Sequence, residues 1–254
     1  MENLIKEIKK KKELRSLPDS LVNSVLNNVM KNRTNILSEK NQKIIIKEAR
    51  AQLRIYTGQY TSRYNIKNRE KLLKYENFKE ILKEHTSTKE RLKDYPLVKK
   101  IINKISPKII LDLGCGINPL AIASKGIEYH AYDVNAEDLK IINKFFKSKN
   151  MQGYTYHKDI TKEESFPKAD LCIIFKVLDI LGKDKVKISK KLLTEIDSRF
   201  FLISFATKTL SGKPMSVVYR RWFEKILKNL NYSYEVKRTS QELFYLVEKL
   251  VSAS

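Results

Sequence analysis

The run Lys108 to Pro119, KIILDLGCGINP, carries an apolar strand pattern straight into a glycine turn. Gly114 and Gly116 let the backbone pass close to a bound molecule where any Cβ would collide. A dinucleotide fingerprint needs a third glycine at position 119, but Pro119 stands there, and proline at the first helical position marks a helix start. That weakens a pyrophosphate-cradling reading. Two carboxylates follow at the ends of the next strand-like runs: Asp133 closes IEYHAYD, 17 positions after Gly116, and Asp159 lies in YHKDI. Carboxylates so placed accept hydrogen bonds from a ligand, or cap the helices that follow in a scaffold without one. Cys115 and Cys172 both lie in apolar strand-like contexts, which argues against a disulfide framework or a structural zinc site and for small buried side chains.

These residues need a frame to hold them. From Lys108 onward, KIILDLGCG, IEYHAYDVN, GYTYHKDI, ADLCIIFK and RFFLISFA are short apolar runs separated by helix-length segments, the mark of a parallel sheet covered on both faces. After an amphipathic stretch from Val217 to Leu230, YSYEVKRT and ELFYLVEKL read as an antiparallel pair on the sheet edge. The first 105 residues read differently. Leu21, Val22, Val25, Leu26, Val29 and Met30 recur at helical spacing, with Asp19 placed after Pro18 to cap the start. Helices are also expected over roughly 2–15, 39–56 and 68–84, with Ile45, Ala49, Leu53 and Tyr56 on one face. The division is therefore a basic helical domain over 1–105 and an α/β domain over 106–254.

Charge sharpens that division. The chain of 254 residues has 51 Lys and Arg against 29 Asp and Glu, a net charge of +22, of which +14 falls in residues 1–105 and +8 in the remainder. So basic a chain suits a polyanionic partner, nucleic acid being the commonest; biased genome composition or life at high temperature would also enrich lysine. With 42% hydrophobic residues, disorder is excluded as the general state. The charged opening segment has no apolar stretch of a signal peptide, and the longest apolar run, Phe200 to Ala206, falls far short of the roughly 20 residues that span a bilayer. A soluble, cytoplasmic protein is expected.

A strand, D-x-G-x-G, then an acidic residue ending the next strand is the pattern of S-adenosylmethionine (SAM) methyltransferases, whose ligand has no phosphate to cradle. In that pattern Asp133 accepts hydrogen bonds from both ribose hydroxyls. Asp159 receives the exocyclic amine of the adenine, and Ile160 donates a backbone N–H. The competing reading is a Rossmann-like protein for a nicotinamide cofactor.

From about Ala49 to Lys249 the chain resembles the aminoglycoside-resistance 16S rRNA methyltransferases that modify N7 of a guanine in the decoding-site helix. The resemblance rests on HTSTKERL from His85, LDLGCGINPLA at 111–121, YHAYD at 129–133, DLCIIFKVLDIL at 170–181, ISFATKTLSGK at 203–213, YRRWFE at 219–224 and ELFYLV at 242–247; ARAQLRIYTGQY at 49–60 is a looser match. It implies a Rossmann-like class I SAM methyltransferase, a mostly parallel seven-stranded sheet with an antiparallel C-terminal edge, preceded by the small all-helical domain. It also implies that His85, Thr86, Ser87 and Arg91 line the methionine end of SAM, with Arg91 pairing its carboxylate in a bidentate contact. Phe175 and Lys176 would stand next to both cofactor and target base, and Lys208, Ser211, Lys213, Arg220 and Arg221 would face rRNA. Trp222 is expected in the core. Physics alone gives Ser87 and Glu90 a capping box, and gives Lys176, which closes an apolar run, either a paired or ligand-facing amine or a snorkelling one.

Asp179 and Ala206 occupy positions where the family usually has proline, and the loop after Ser211 is shorter than in its members, which bears on the target more than on the cofactor. Guanine N7 offers a free lone pair, so no proton must leave before it attacks the sulfonium methyl and no catalytic acid–base pair is expected. The implied partner is the small ribosomal subunit, bound by a monomer without metal or membrane. Methylation of tRNA or of another rRNA atom, and a non-catalytic RNA-binding or ribosome-assembly role on the same fold, are the alternatives.

Overall fold

The computed structural model describes residues 1–31, 33, 38–57, 66–209 and 212–249. The chain opens with α1 (Glu2–Lys9), α2 (Asp19–Met30) and α3 (Glu39–Thr57). Leu4, Ile8, Leu14, Leu17, Leu21, Val22, Leu26, Ile45, Ala49 and Leu53 close on one another as a core of their own. The helix expected over 2–15 breaks after Lys9: Lys11 is extended (φ −72°, ψ 128°), and a short 3-10 turn at Lys12–Leu14 follows. That break swings Leu14 and Leu17 into the core, which four successive lysines in a continuous helix would not achieve. Asp19 does not cap α2. Pro18 occupies the cap position, and the Asp19 carboxylate instead meets Lys9 Nζ at 2.6 Å.

Four more helices precede the sheet: α4 (Ile66–Lys74), α5 (Phe78–Lys83), α6 (Thr86–Arg91) and α7 (Tyr95–Ile105). The single helix expected over 68–84 is two. Glu76 takes a left-handed φ of 55°, and the Asn77 N–H donates to the Leu72 carbonyl at 2.9 Å, a Schellman-type stop that turns Phe78 onto Phe145. Leu73, Ile81, Leu82, Val98, Ile101 and Ile102 bury themselves in the same core as Ile110 and Leu171 of the sheet. The helices nearest the sheet thus complete one of its faces, whereas α1–α3 hold a core of their own.

The sheet comprises β1 (Ile109–Leu113), β2 (Glu128–Asp133), β3 (Gly153–His157), β4 (Ala169–Phe175), β5 (Ser198–Ala206), β6 (Ser233–Arg238) and β7 (Glu242–Glu248) in the order β3-β2-β1-β4-β5-β7-β6. The first five run parallel; β7 is antiparallel to both β5 and β6. The short α8 (Pro119–Ile122) and α9 (Ala136–Ser148) cover the face that α7 shares, whereas α10 (Lys185–Glu195) and α11 (Arg221–Asn229) cover the other. The central strands β1 and β4 are buried nearly throughout, while the edge strand β6 is mostly exposed, which accounts for the unbroken apolar runs of the former. The amphipathic stretch after Val217 becomes helical only from Arg221. Strand order reverses between β1 and β4, and in open parallel sheets ligands bind at the carboxyl ends of the strands beside that switch.

Candidate active site

One pocket opens at that switch point, and His85, Ser87, Arg91, Gly114, Gly116, Asp133, Asp159, Ile160, Phe175 and Lys176 all line it. Thr86 does not; Thr88, two residues further on, does. The glycine turn is tight for reasons of packing as well as of ligand access. Gly114 (φ +71°) would drive a Cβ to within 2.4 Å of Val177 Cγ2, and at Gly116 (φ +51°) a Cβ would come 3.1 Å from the His85 ring. His85 is itself buried at the start of α6, and burial pulls its pKa down to about 4, so the ring is neutral at physiological pH.

Asp133 ties the pocket floor together. Its Oδ2 accepts the Gly116 N–H at 2.8 Å and its Oδ1 the Asn135 N–H at 2.8 Å, which leaves each oxygen a lone pair for a ligand hydroxyl. Burial, aided by the charge of Asp138, pushes its pKa up to about 6 against the opposing backbone N–H groups. A ribose whose two hydroxyls donate to Asp133 needs the anion, so affinity for S-adenosylhomocysteine (SAH) should be flat above pH 7 and fall by about tenfold per unit below pH 6. Calorimetric titrations from pH 8 to 5 test this, and an unchanged affinity at pH 5 would exclude it. Asp159 is already committed to an Asx turn, its Oδ1 accepting from the Thr161 N–H at 3.0 Å and hydroxyl at 2.7 Å, so Oδ2 is the oxygen left for an amine.

The capping box is not formed. Ser87 Oγ accepts from Arg91 Nη2 at 3.2 Å, and Glu90 reaches across to Lys176 Nζ at 2.5 Å. Lys176 is a paired amine: its side chain is 6% exposed, and it meets Glu242 at 3.4 Å as well. It sits in the left-handed region, φ +59°, a strained position for a residue with a Cβ, which turns its side chain back over the pocket. The fork of Arg91 is also taken. Nε lies 2.9 Å from Glu242 Oε1, Nη2 is 3.1 Å from Oε2, and Nη1 donates to Asn118 Oδ1 at 2.7 Å, while the guanidinium stacks 4.4 Å from the Phe175 ring centroid. Burial alone would lower the guanidinium pKa, and the Glu242 carboxylate reverses that. The Arg91 fork thus clamps Glu242 from the pocket wall, with one N–H of Nη1 beyond the bond to Asn118.

The basic residues beyond β5 divide. Ser211 lies outside the described residues. The Thr209 N–H donates to the Lys213 carbonyl at 2.8 Å, and Lys213 and Arg221 are exposed. Arg220 does not face solvent. It is 8% exposed, its Nε and Nη2 bond Asp179 Oδ2 at 2.9 and 2.8 Å, and Nη2 also donates to the Ala206 carbonyl at 3.0 Å. Both departures from the family pattern, Asp179 and Ala206, therefore meet at this one arginine. Trp222, expected in the core, is half-buried and packs on the core residues Phe205 and Phe223 from its edge.

Sequence reasoning missed Glu242, Asn118, Asp138 and Tyr56. Glu242 heads the otherwise apolar ELFYLV and is fully buried, a charge inside an apolar run that could have been flagged as paired. Asp138 is buried and bonded to Arg69 Nη1 at 2.6 Å, a contact between segments 69 residues apart that no local pattern discloses. Among the described residues, no cluster of His, Cys, Asp or Glu is placed to hold a metal ion, and no helix is long and apolar enough to cross a membrane.

The strand order, the glycine turn closing β1, the acidic residue that ends β2 and the one just beyond β3 define a class I SAM-dependent methyltransferase. A profile of the ribosomal RNA methyltransferase (FmrO) family matches residues 75–246. A 16S rRNA (guanine(1405)-N(7))-methyltransferase of Serratia marcescens is 30% identical over 83% of this chain and 85% of its own length. An rRNA methylase from Escherichia coli superposes with a TM-score of 0.83 at 25% identity, covering 98% of this chain and 99% of that one. The 16S rRNA methyltransferase RmtF, solved with SAH, shares the fold at a TM-score of 0.85 and 23% identity, over 98% of each chain. The chain belongs to the FmrO family of ribosomal RNA methyltransferases.

Proposed function

We propose that the protein transfers a methyl group from SAM to N7 of a guanine in the decoding region of 16S rRNA, acting as a cytoplasmic monomer on the small ribosomal subunit. The likeness over most of the chain to a 16S rRNA (guanine(1405)-N(7))-methyltransferase carries this reading. SAM supplies an electrophilic methyl on a sulfonium. The chain's own residues would do the rest by placement. Asp133 holds the ribose, Asp159 Oδ2 and the Ile160 N–H the adenine edge, and the remaining Arg91 N–H with Ser87 and His85 the amino-acid end. Phe175, which ends β4, and Lys176, which follows it, line this pocket and would stand next to both the cofactor and the target base.

No residue needs to remove a proton from N7, so rate comes from alignment, worth about 7–11 kcal/mol as avoided bimolecular entropy. The A-form helix hides its major-groove edge, and unstacking the guanine costs a few kcal/mol. The basic residues of the helical part would supply that energy through phosphate contacts. Lys11, Lys43, Lys47, Arg50 and Arg54, together with Glu7 and Ile46, line a predominantly basic groove along α3 suited to a nucleic-acid backbone. Subunit binding is expected to fall steeply with salt. Reversing charge at Lys43 and Lys47 should weaken it about tenfold or more while SAH affinity stays intact. Equal weakening by reversal on the opposite face would reduce the groove to solvation.

The deciding experiment is nucleoside mass spectrometry of small-subunit rRNA from a host expressing the protein, with reverse transcription after borohydride and aniline cleavage to place the base and aminoglycoside susceptibility measured alongside. The expected result is a new 7-methylguanosine in the decoding region. Absence of new N7-methylguanosine there, or a methyl group on tRNA or another rRNA atom, overturns the target.

A further inference from the structure

Tyr56 belongs to the loosely matched segment 49–60, and no part of the reaction described above uses it. It lies near the end of α3, in the helical part whose core is separate from the sheet's, yet its side chain is one wall of the cofactor pocket. The same pocket stretch contains Ile160 and Thr161, and the charges of Asp159 and Asp184 act on the phenol. Burial, aided by these two charges, raises its pKa, and the ring is a neutral, amphipathic surface at physiological pH. The helical part is also seated on the segment immediately after Asp133. Val134, like Tyr56, packs against its core, and the Ser16 hydroxyl donates to Asn135 Oδ1 at 3.4 Å; Val134 and Asn135 both line the pocket.

We propose that the helical part completes the cofactor site, with Tyr56 packing on the adenosine half of SAM next to Asp159. The inference rests on the SAM reading of the pocket. It makes Tyr56 a cofactor-binding residue and gives the rRNA-binding part of the chain a physical hold on cofactor affinity, because any shift of α3 on the rRNA moves the pocket wall.

The test is calorimetric binding of SAH and of adenosine to the full chain and to Tyr56→Ala and Tyr56→Phe. An aromatic face lost from a base contact lowers affinity by about tenfold, within the range seen for alanine substitution at stacking sites. Tyr56→Ala should lose about tenfold for both ligands, since the contact is to the shared nucleoside, while Tyr56→Phe stays within about twofold of the parent and the ligand-free thermal transition does not move. Because Tyr56→Ala could loosen α3, the unsubstituted protein is also irradiated with 8-azido-SAH. Labelling within residues 51–57 supports the contact. Unchanged affinities in Tyr56→Ala, or labelling confined to the sheet, overturn it. Failure of the parent protein to bind SAH would instead sink the SAM reading, and this inference with it.

Discussion

Asp133→Ala should lower SAH affinity by two to four orders of magnitude and leave methylation undetectable. Two hydrogen bonds from ribose hydroxyls to a carboxylate are worth about 1.5–3 kcal/mol each, and about 1.4 kcal/mol is a tenfold change. The substitution also strips the acceptors from the Gly116 and Asn135 N–H groups, both at 2.8 Å, so the glycine turn and the start of α9 lose their common anchor. Asp133→Asn separates the two losses. It keeps the shape and one acceptor oxygen but offers an amide to a second donor, so an intermediate affinity is expected. Calorimetry with SAH reads both variants, and binding by Asp133→Ala within threefold of the parent would exclude Asp133 as the ribose residue.

Glu242→Leu should lower the thermal midpoint by roughly 10 °C. Glu242 is fully buried and joins Arg91, Lys176 and the Ser204 hydroxyl, whose Oγ lies 2.5 Å from Oε2. With Glu90 as the second acid, two cations and two anions balance. Removing one carboxylate leaves a guanidinium buried without its counter-ion, a loss of about 3–5 kcal/mol, and about 2–4 °C of midpoint per kcal/mol applies to a chain of this size. The double variant Arg91→Met/Glu242→Leu should recover much of that loss, because no uncompensated charge remains and Lys176 keeps Glu90. Scanning calorimetry decides. A single variant as stable as the parent would mean that Glu242 is not the counter-ion that holds Arg91 in place, and a double variant no better than the single would locate its worth in packing.

Both predictions concern residues whose visibility in the sequence differed. Asp133 announces itself locally: an acidic residue ending an apolar run, at a fixed interval from a glycine turn. Its role depends on strand ends, and strand ends follow from burial periodicity. Glu242 announces only that a charge stands at the head of a strand. Its partner Arg91 lies 151 residues away, and no spacing rule links them. Local electrostatics also misled. Ser87 and Glu90 have the spacing of a capping box, but Glu90 pairs with Lys176, 86 positions away, and Ser87 accepts from the buried Arg91 one turn on, because a buried cation left without partners costs far more than an uncapped N–H. Arg220 reads as one of a basic pair for phosphate until the fold brings Asp179 and the Ala206 carbonyl within its reach.

The sequence by itself determined the α/β class, the seven strands and their parallel-then-antiparallel sense, the glycine turn and the acidic strand ends, and the uneven distribution of a +22 charge. Those are properties of local periodicity and composition, fixed by which side chains must be buried at a spacing of two or 3.6 residues. The tertiary structure alone decided which helices share the sheet's core, which charges neutralise one another, that Arg220 is withdrawn from solvent, and that a tyrosine of the helical part lines the pocket at the switch point. Each of these depends on contacts between residues tens to more than a hundred positions apart, whose energies are set by burial and mutual distance, and neither quantity is written in the order of the chain.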